Sequence, residues 1–276
     1  MYALCALIRR ASLSFMRKII ERGDRGMKIA ATDFDGTFRP IDQLVPEENL
    51  AAVRAWQAAG NKFGIATGRG LPLIEEGLAP YDIRVDFLVC NNGAVSVDAD
   101  RRMIHCLPIP SAVVKQLLDL PAVRENDLPL LIFTAREAYS IRPNPAMSMA
   151  LVRPLTFEAA PLLSDVVQVS MKLNTPEEAQ QVSDDIHARF PMLGGNINRS
   201  YLDINRAEAD KGWGLMKMME DGPWRGRELL VIGDDKNDLK MIRRFHGFTV
   251  RTARPFMQDA ACGVYDTVGS MLRDHL

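Results

Sequence analysis

The residues of this chain best suited to chemistry are Asp33-Phe34-Asp35-Gly36-Thr37, which follow directly on the apolar run Met27-Lys28-Ile29-Ala30-Ala31-Thr32. Two carboxylates one residue apart, then a glycine turn and a hydroxyl where a strand runs out, make a site and not a core. At average residue usage Asp-x-Asp-Gly-Thr arises by chance at about one position in 10⁵. Three further groups end apolar runs: Thr67-Gly68-Arg69, Asn91-Asn92-Gly93 and Asp234-Asp235-Lys236-Asn237-Asp238. In an open α/β sheet ligands bind outside the carboxyl ends of the strands, so the four groups converge on one edge. Acidic residues gathered there repel one another unless a cation holds them together. Carboxylates without a nearby His or Cys point to a hard, oxygen-seeking ion, Mg²⁺ first, which commonly uses one or two carboxylates plus a substrate phosphate.

With that metal, Asp33 reads as a nucleophile. A carboxylate that attacks phosphorus splits one hard displacement into two easier ones through an aspartyl-phosphate. Asp35 is placed to protonate the leaving alkoxide and then deprotonate the attacking water. Thr67 offers a hydroxyl and Gly68 a close backbone N–H to phosphoryl oxygens. Lys211 opens a predicted helix after Asp210 and is the cation to neutralise both nucleophile and phosphoryl group, which is most of what phosphoryl transfer needs from a protein.

The elements that position these groups follow an α/β rhythm from Met27 onwards. Strands are predicted at Ile29 to Thr32, Phe63 to Ala66 and Phe87 to Cys90. Helices are expected from Pro46 to about Gly60 and from Leu71 to Leu78, and a hairpin from Val95 to Cys106. The middle of the chain differs. Pro108, Pro110, Pro143, Pro145, Pro154 and Pro161 punctuate it, a helix is predicted over Ala112 to Leu120, and strands over Leu130 to Thr134 and Val166 to Leu173. An amphipathic helix from Pro176 to Phe190 and a single returning strand from Asn196 to Ile204 complete it. The rhythm resumes with a helix from Lys211 to Met219 and a strand from Glu228 to Ile232. The expectation is a doubly wound, mainly parallel core (27–107 and 206–276) interrupted by an α+β cap of about a hundred residues (108–205), within the usual size of a domain.

Composition is that of an ordinary globular protein, 47% hydrophobic and 25% charged, with a net charge of −1 that leaves no electrostatic footprint for nucleic acid. Cys5, Cys90, Cys106 and Cys262 form no Cys-x-x-Cys pair, which suits free thiols in a reducing cytoplasm. No apolar run is long enough to span a bilayer. Residues 1–26 alternate apolar positions with Arg9, Arg10, Arg17, Lys18, Arg22 and Arg25, as a basic amphipathic helix at a membrane surface would. The favoured reading is instead that Met27 is the natural start and that the segment is disordered or loosely docked.

Asp33-Phe34-Asp35-Gly36-Thr37, Thr67-Gly68-Arg69, Lys211-Gly212 and Gly233-Asp234-Asp235-Lys236-Asn237-Asp238 resemble the four motifs of haloacid-dehalogenase-superfamily phosphatases. The insert between the second and third motifs, and Asn91-Asn92-Gly93-Ala94 before it, resemble the Cof subfamily with its type IIB cap. The resemblance implies Mg²⁺ on Asp33, the Asp35 backbone carbonyl and Asp234, with Asp238 behind them. It implies phosphate on the Phe34 N–H, Thr67, Gly68, Lys211 and Asn237, and small phosphate esters, sugar phosphates above all, as substrates. One departure is Asp210, where a small hydroxyl residue is common; it is read as a tether for Lys211.

Other residues invite plainer readings. Arg69 is expected to pair with an acidic neighbour, and Asp235 and Lys236 to be loop residues. Asn92 serves either the turn with Gly93 or the substrate side. The four histidines have no ligand spacing and are expected at surface or hairpin positions. Arg136, Arg142 and Arg153 either grip an anionic substrate or lie on exposed surface. Alternatives to a phosphatase are a phosphomutase on the same fold, a metal-independent dehalogenase, and a phosphate- or metal-binding regulatory protein without catalysis. Oligomeric state is not legible.

Overall fold

In the computed structural model, residues 26–145 and 150–276 are described; the readings for residues 1–25 and Cys5 lie outside them. Strand β1 (Ile29–Thr32) is wholly buried, as four small or β-favouring residues at the centre of a parallel sheet covered on both faces should be. It pairs in parallel with β2 (Lys62–Ala66) on one side and β12 (Leu229–Gly233) on the other. β3 (Phe87–Cys90), β4 (Val95–Asp98) and β5 (Met103–Cys106) extend the first side, and β13 (Phe248–Val250) and β14 (Val264–Tyr265) the second. The order β14-β13-β12-β1-β2-β3-β4-β5 is parallel except for the two antiparallel steps onto β4 and β5. The chain winds outward in opposite senses from β1, so the crevice between the carboxyl ends of β1 and β12 is the switch point where such sheets bind ligands.

Helices α1 (Glu47–Ala58) and α2 (Leu71–Leu78) cross between β1, β2 and β3. Pro46 precedes two glutamates in the first turn of α1, the charge preferred at a helix amino end. Phe34, Phe38, Trp56 and Phe63 are fully buried on this side of the sheet, and the Trp56 indole N–H donates to the Lys62 carbonyl at 3.0 Å.

The second sheet, β10-β11-β9-β6-β7-β8, is antiparallel except between β7 and β8. Its strands are β6 (Leu130–Thr134), β7 (Ala138–Arg142), β8 (Val152–Pro154), β9 (Val166–Lys172), β10 (Leu193–Asn198) and β11 (Tyr201–Arg206). Helices α3 (Ser111–Leu118), α4 (Pro121–Arg124) and α5 (Pro176–Arg189) complete the module. Thr175 caps α5 by accepting from the Glu178 N–H. The chain re-enters the first layer at α6 (Lys211–Asp221) and ends with α7 (Leu239–Phe245), α8 (Pro255–Ala260) and α9 (Val268–Asp274). This is the doubly wound, mainly parallel core with an inserted α+β cap.

Three expectations for the middle segment are corrected. The single strand over Asn196 to Ile204 is a hairpin that reverses at Arg199, which adopts φ +54°. The alternation continues through the turn, so periodicity alone hides it. Strands β7 and β8 were not expected, because the prolines around them masked the pattern; Pro154 is tolerated at the end of an edge strand, where its missing N–H breaks no ladder. The helix expected over Ala112 to Leu120 stops at Leu118, and Pro121 opens the separate turn α4.

The two layers are tied where the chain crosses. Buried Asn205 donates through Nδ2 to the Asn91 carbonyl at 3.1 Å and to the Val167 carbonyl at 2.9 Å. The Lys236 ammonium reaches Gln180 Oε1 on α5 at 3.3 Å.

Candidate active site

The end of β1 is fastened before any side chain is placed. The Asp33 N–H donates to the Ile232 carbonyl at 2.9 Å, and the Phe38 and Arg39 N–H groups donate back to the Asp33 and Phe34 carbonyls. The chain after Asp33 is thereby folded into a tight loop over the switch point. Gly36 has φ +94°, and a Cβ there would lie 2.4 Å from Asp234 Oδ2. Only glycine lets the carboxylate from β12 come in beside the one from β1.

Asp33 is nearly buried, and its Oδ1 accepts from the Lys211 ammonium at 2.6 Å. Lys211 opens α6, is fully buried, and donates equally to Asp238 Oδ1 at 2.6 Å. Burial alone would pull the ammonium down, but Asp238 and Asp33 outweigh it and hold Lys211 above its ordinary value and charged. Asp33 is raised well above the ordinary carboxylate range, first by burial, and also by Asp238 and Asp234 against the opposing pull of Lys211. Asp234 is pushed up to about 6 by burial and by Asp238, while Thr37 Oγ1 donates to its Oδ1 at 2.5 Å. Asp238 is fully buried and accepts the Asp234 and Asp235 N–H groups at 3.0 and 3.2 Å.

Carboxylate oxygens of Asp33, Asp234 and Asp238 all lie within 4.8 Å of one another. One ammonium for three clustered carboxylates, two of them buried and Asp234 half-buried, leaves a deficit of positive charge that a hard cation fits, and the donor set is oxygen only.

Asp35 is held by two arginines. Arg69 donates through Nε to Oδ2 at 2.6 Å and through Nη2 to Oδ1 at 2.8 Å, a bidentate fork, and Arg39 Nη2 donates to Oδ1 at 2.5 Å. Both guanidinium groups lie 5.1 Å from the centroid of the Phe34 ring, so the buried ring between the two aspartates supports the pair. The acidic partner expected for Arg69 is thus Asp35 itself. Arg39 was not singled out; its position in the loop after Asp33 was the signal.

Thr67 follows β2 directly and is buried, its hydroxyl accepting from the Arg69 N–H at 3.1 Å. Gly68 runs beneath Asn92, whose side-chain oxygen would be 3.1 Å from a Cβ at that position. Asn91, Asn92 and Gly93 carry three consecutive positive φ values, and the turn turns the Asn92 side chain into the cleft. Asn92 therefore serves the turn and lines the cleft at once. Its Oδ1 accepts from Asn237 Nδ2 at 3.4 Å and its Nδ2 donates to Asp203 Oδ2 at 3.0 Å.

Asp203 is the residue that sequence reasoning missed. It stands on β11 of the cap, with Ser170 Oγ donating to its Oδ1 at 2.5 Å. The signal was alternation: Leu202 and Ile204 point into the cap core, which leaves Tyr201 and Asp203 on the opposite face. Burial pushes its carboxyl up to about 6, against the lowering effect of the Ser170 and Asn92 hydrogen bonds. A folded-state value above the ordinary 3.8 means that protonation favours the fold, and that this contribution is lost as pH rises through about 6. Asp203→Asn keeps partners for Ser170 and Asn92 and removes the charge. The variant is expected to gain melting temperature over the wild type at pH 7.5 and not at pH 4. Thermal melts across that range check this, and a difference independent of pH would contradict it.

A cleft of about 450 Å³ between core and cap is lined by Asp33, Thr67, Asn92, Asp203, Asn237 and Tyr201 among others. Arg199 lines its rim from the hairpin turn. Arg136, Arg142 and Arg153 do not line it. Arg142 donates to the Leu128 and Val123 carbonyls and stacks on Phe157, Arg153 pairs with Glu137, and Arg136 donates to the Arg101 carbonyl. Asp210 does not tether the Lys211 amine. Its Oδ1 caps α6 by accepting from the Trp213 N–H at 2.8 Å, and its Oδ2 lies 3.4 Å from Lys240 Nζ. The lysine is anchored instead by Asp238 and Asp33, each accepting from its ammonium at 2.6 Å. Asp235 closes a capping box with Asp238. His105 sits in the β4–β5 hairpin, edge-on to Trp213.

A parallel α/β core with acidic groups gathered at its switch point, under an inserted cap, defines a capped hydrolase. A family model for haloacid dehalogenase-like hydrolases matches residues 30–269, and the chain belongs to that family. Its second sheet is an inserted cap, and the likeness of fold extends to subclass IIB members of the family. Among solved structures it is similar to the HAD subclass IIB sugar phosphatase BT4131, with a TM-score of 0.76 at 21% identity, covering 90% of this chain and 98% of that one. It is similar to TM0651 from Thermotoga maritima, with a TM-score of 0.73 at 20% identity over 90% and 97% of the two chains. Among curated proteins it is 20% identical over 249 residues to the 5-amino-6-(5-phospho-D-ribitylamino)uracil phosphatase YcsE of Bacillus subtilis (strain 168), covering 90% of this chain and 93% of that protein. At these identities the structural likeness is one of fold. No helix of the described residues is long and apolar enough to cross a membrane.

Proposed function

We propose that the protein hydrolyses small phosphate monoesters, sugar phosphates or related metabolites, in a Mg²⁺-dependent reaction that passes through an aspartyl-phosphate on Asp33. The observation that carries this reading is the buried Asp33–Lys211–Asp238 chain beside Asp234, opening onto a cleft next to Thr67 and Gly68.

An Asp33 carboxylate oxygen attacks phosphorus while the ester oxygen departs with a proton from Asp35. Asp35 then takes a proton from water, whose oxygen attacks the same phosphorus, releasing phosphate and restoring the Asp33 carboxylate. Both Asp35 oxygens accept from Arg69 and Arg39 in this structure, so the carboxyl turns out of that clamp to give and to take its proton. Lys211, the Thr67 hydroxyl, Asn237 and the Phe34 and Gly68 N–H groups bind the phosphoryl oxygens. Asp33, Asp234 and the Asp35 backbone carbonyl would hold Mg²⁺, with Asp238 behind them. When bound, the ion supplies positive charge that offsets the phosphoryl oxygens and the nucleophile. Residues 27–107 and 206–276 form the catalytic core in this reading, and the cap, residues 108–205, excludes bulk water. The protein is taken to act in the cytoplasm on small molecules, with no nucleic-acid or membrane partner.

The test is hydrolysis of p-nitrophenyl phosphate and a panel of sugar phosphates by chelator-treated protein, with Mg²⁺ added back. Turnover is expected only with Mg²⁺. Turnover that is indifferent to Mg²⁺, or none with any ester, would overturn the proposal. A rate that depends on added sugar bisphosphate would identify a mutase instead.

A further inference from the structure

Asp203 brings a carboxylate to the one place where an anionic substrate should least tolerate it. A Cβ added at Gly68 would lie 3.4 Å from Asp203 Oδ2, so the carboxylate overhangs the backbone that the proposed phosphatase reaction uses to bind phosphate. Among the described residues its hydrogen-bond partners are the Ser170 hydroxyl and the Asn92 amide, both neutral, and no arginine or lysine forms an ion pair with it. The charge is therefore oriented but not cancelled. A carboxylate accepts about four hydrogen bonds. Two are taken by Asn92 and Ser170, which leaves acceptor capacity facing the cleft that Asp203 lines.

An anion beside a phosphoryl group repels it unless a donor stands between them. The ester itself supplies no such donor, and the protein's donors at this point, Asn92 Nδ2 and Ser170 Oγ, fill two of the carboxylate's acceptor positions and leave the others open. The alcohol half of the substrate must supply it. We infer that Asp203, oriented by Ser170 and Asn92, accepts a hydrogen bond from a hydroxyl on the carbon chain beside the ester oxygen, and so selects phosphate esters of polyols over esters without that hydroxyl. The inference rests on the phosphatase reading of this site and adds the residue that reads the alcohol. It also accounts for the location of Asp203 on the cap. The group that reads the alcohol arrives from the layer opposite the one that performs the chemistry, so the core can remain the same while the cap changes.

A purely structural role is the competing explanation: Asp203 could do no more than latch β11 to Asn92 and hold the cap down. The two roles separate in a ratio. Steady-state kcat/KM is measured for erythritol 4-phosphate and butyl phosphate, which share a chain length and differ in hydroxyls, with the full-length wild type, Asp203→Ala and Asp203→Asn. The wild type is expected to favour the hydroxylated ester by about 10- to 100-fold, the range of a hydrogen bond to a charged group. Asp203→Ala is expected to reduce that preference to within about twofold, and Asp203→Asn, which keeps an acceptor without the charge, to fall between. A loss shared equally by both esters would mean a latch and overturn the inference, as would a ratio unchanged in the variants. If Asp203→Ala does not fold by circular dichroism, the near-isosteric Asp203→Asn carries the comparison, and an unchanged ratio there overturns it. Absence of turnover in the wild type with every ester tried, p-nitrophenyl phosphate and the sugar phosphates alike, would bring down the phosphatase reading and this inference together. Turnover of p-nitrophenyl phosphate with no preference between the two esters would bring down this inference alone.

Discussion

Asp33→Asn is expected to lower kcat for p-nitrophenyl phosphate by about 10⁴-fold or more, the scale on which loss of an attacking group is felt, while leaving the melting temperature in metal-free buffer equal to or above that of the wild type. The two effects come from one arrangement. The carboxylate lies buried between Asp234 and Asp238, and burial lifts it above the ordinary carboxylate range even with Lys211 at 2.6 Å. A group raised in the fold contributes stability when protonated and loses it as pH rises, so Asp33 is an increasing burden on the metal-free folded state towards higher pH. An amide of the same shape removes that burden, and Lys211 keeps Asp238 as its partner. Initial rates and thermal melts on the same preparations decide it. Turnover that survives in Asp33→Asn would sink the assignment of Asp33 as nucleophile, and a large fall in melting temperature would mean that the Asp33–Lys211 pair is chiefly structural.

Lys211→Met is expected to damage both properties. The variant leaves Asp33 and Asp238 buried without their shared counter-charge, and removing one partner of a buried ion pair costs about 3–5 kcal/mol. In a chain of this size that corresponds to a melting temperature lower by roughly 10 °C. Loss of the charge facing the phosphoryl group is expected to lower kcat by about 10²- to 10³-fold, as removal of one stabilising donor does. Mg²⁺ should raise the melting temperature of the variant by more than that of the wild type, because it supplies positive charge to the same carboxylates. A variant that melts with the wild type and shows no greater response to Mg²⁺ would contradict the view of Lys211 as the counter-charge of the cluster.

The α/β core was legible because its strands are short apolar runs and its helices carry their own periodicity. Ile29–Thr32, Leu71–Leu78 and Phe87–Cys90 have the same ends in the sequence reading and in the structure. The cap was less legible. Prolines around β7 and β8 obscured their alternation, and a turn at Arg199 without glycine hid a hairpin inside what reads as one strand.

Residue type and spacing alone determined that Asp33, Asp35, Thr67, Lys211, Asp234 and Asn237 belong at one edge of a doubly wound sheet, because each follows a strand or opens a helix whose pattern is local. Tertiary structure alone decided which of them touch. That Asp238 and not Asp210 anchors Lys211 depends on how α6 sits against the loop after β12. That Arg69 and Arg39 both grip Asp35 depends on two loops meeting across the Phe34 ring. That Asp203 overhangs Gly68 depends on the cap folding back across a hundred residues of intervening chain, whose docking is set by packing and buried hydrogen bonds such as those of Asn205. Local propensity is written in neighbouring residues and can be read from them. Contacts between distant segments are fixed by the summed burial and hydrogen bonding of the whole fold, which no short stretch of sequence contains.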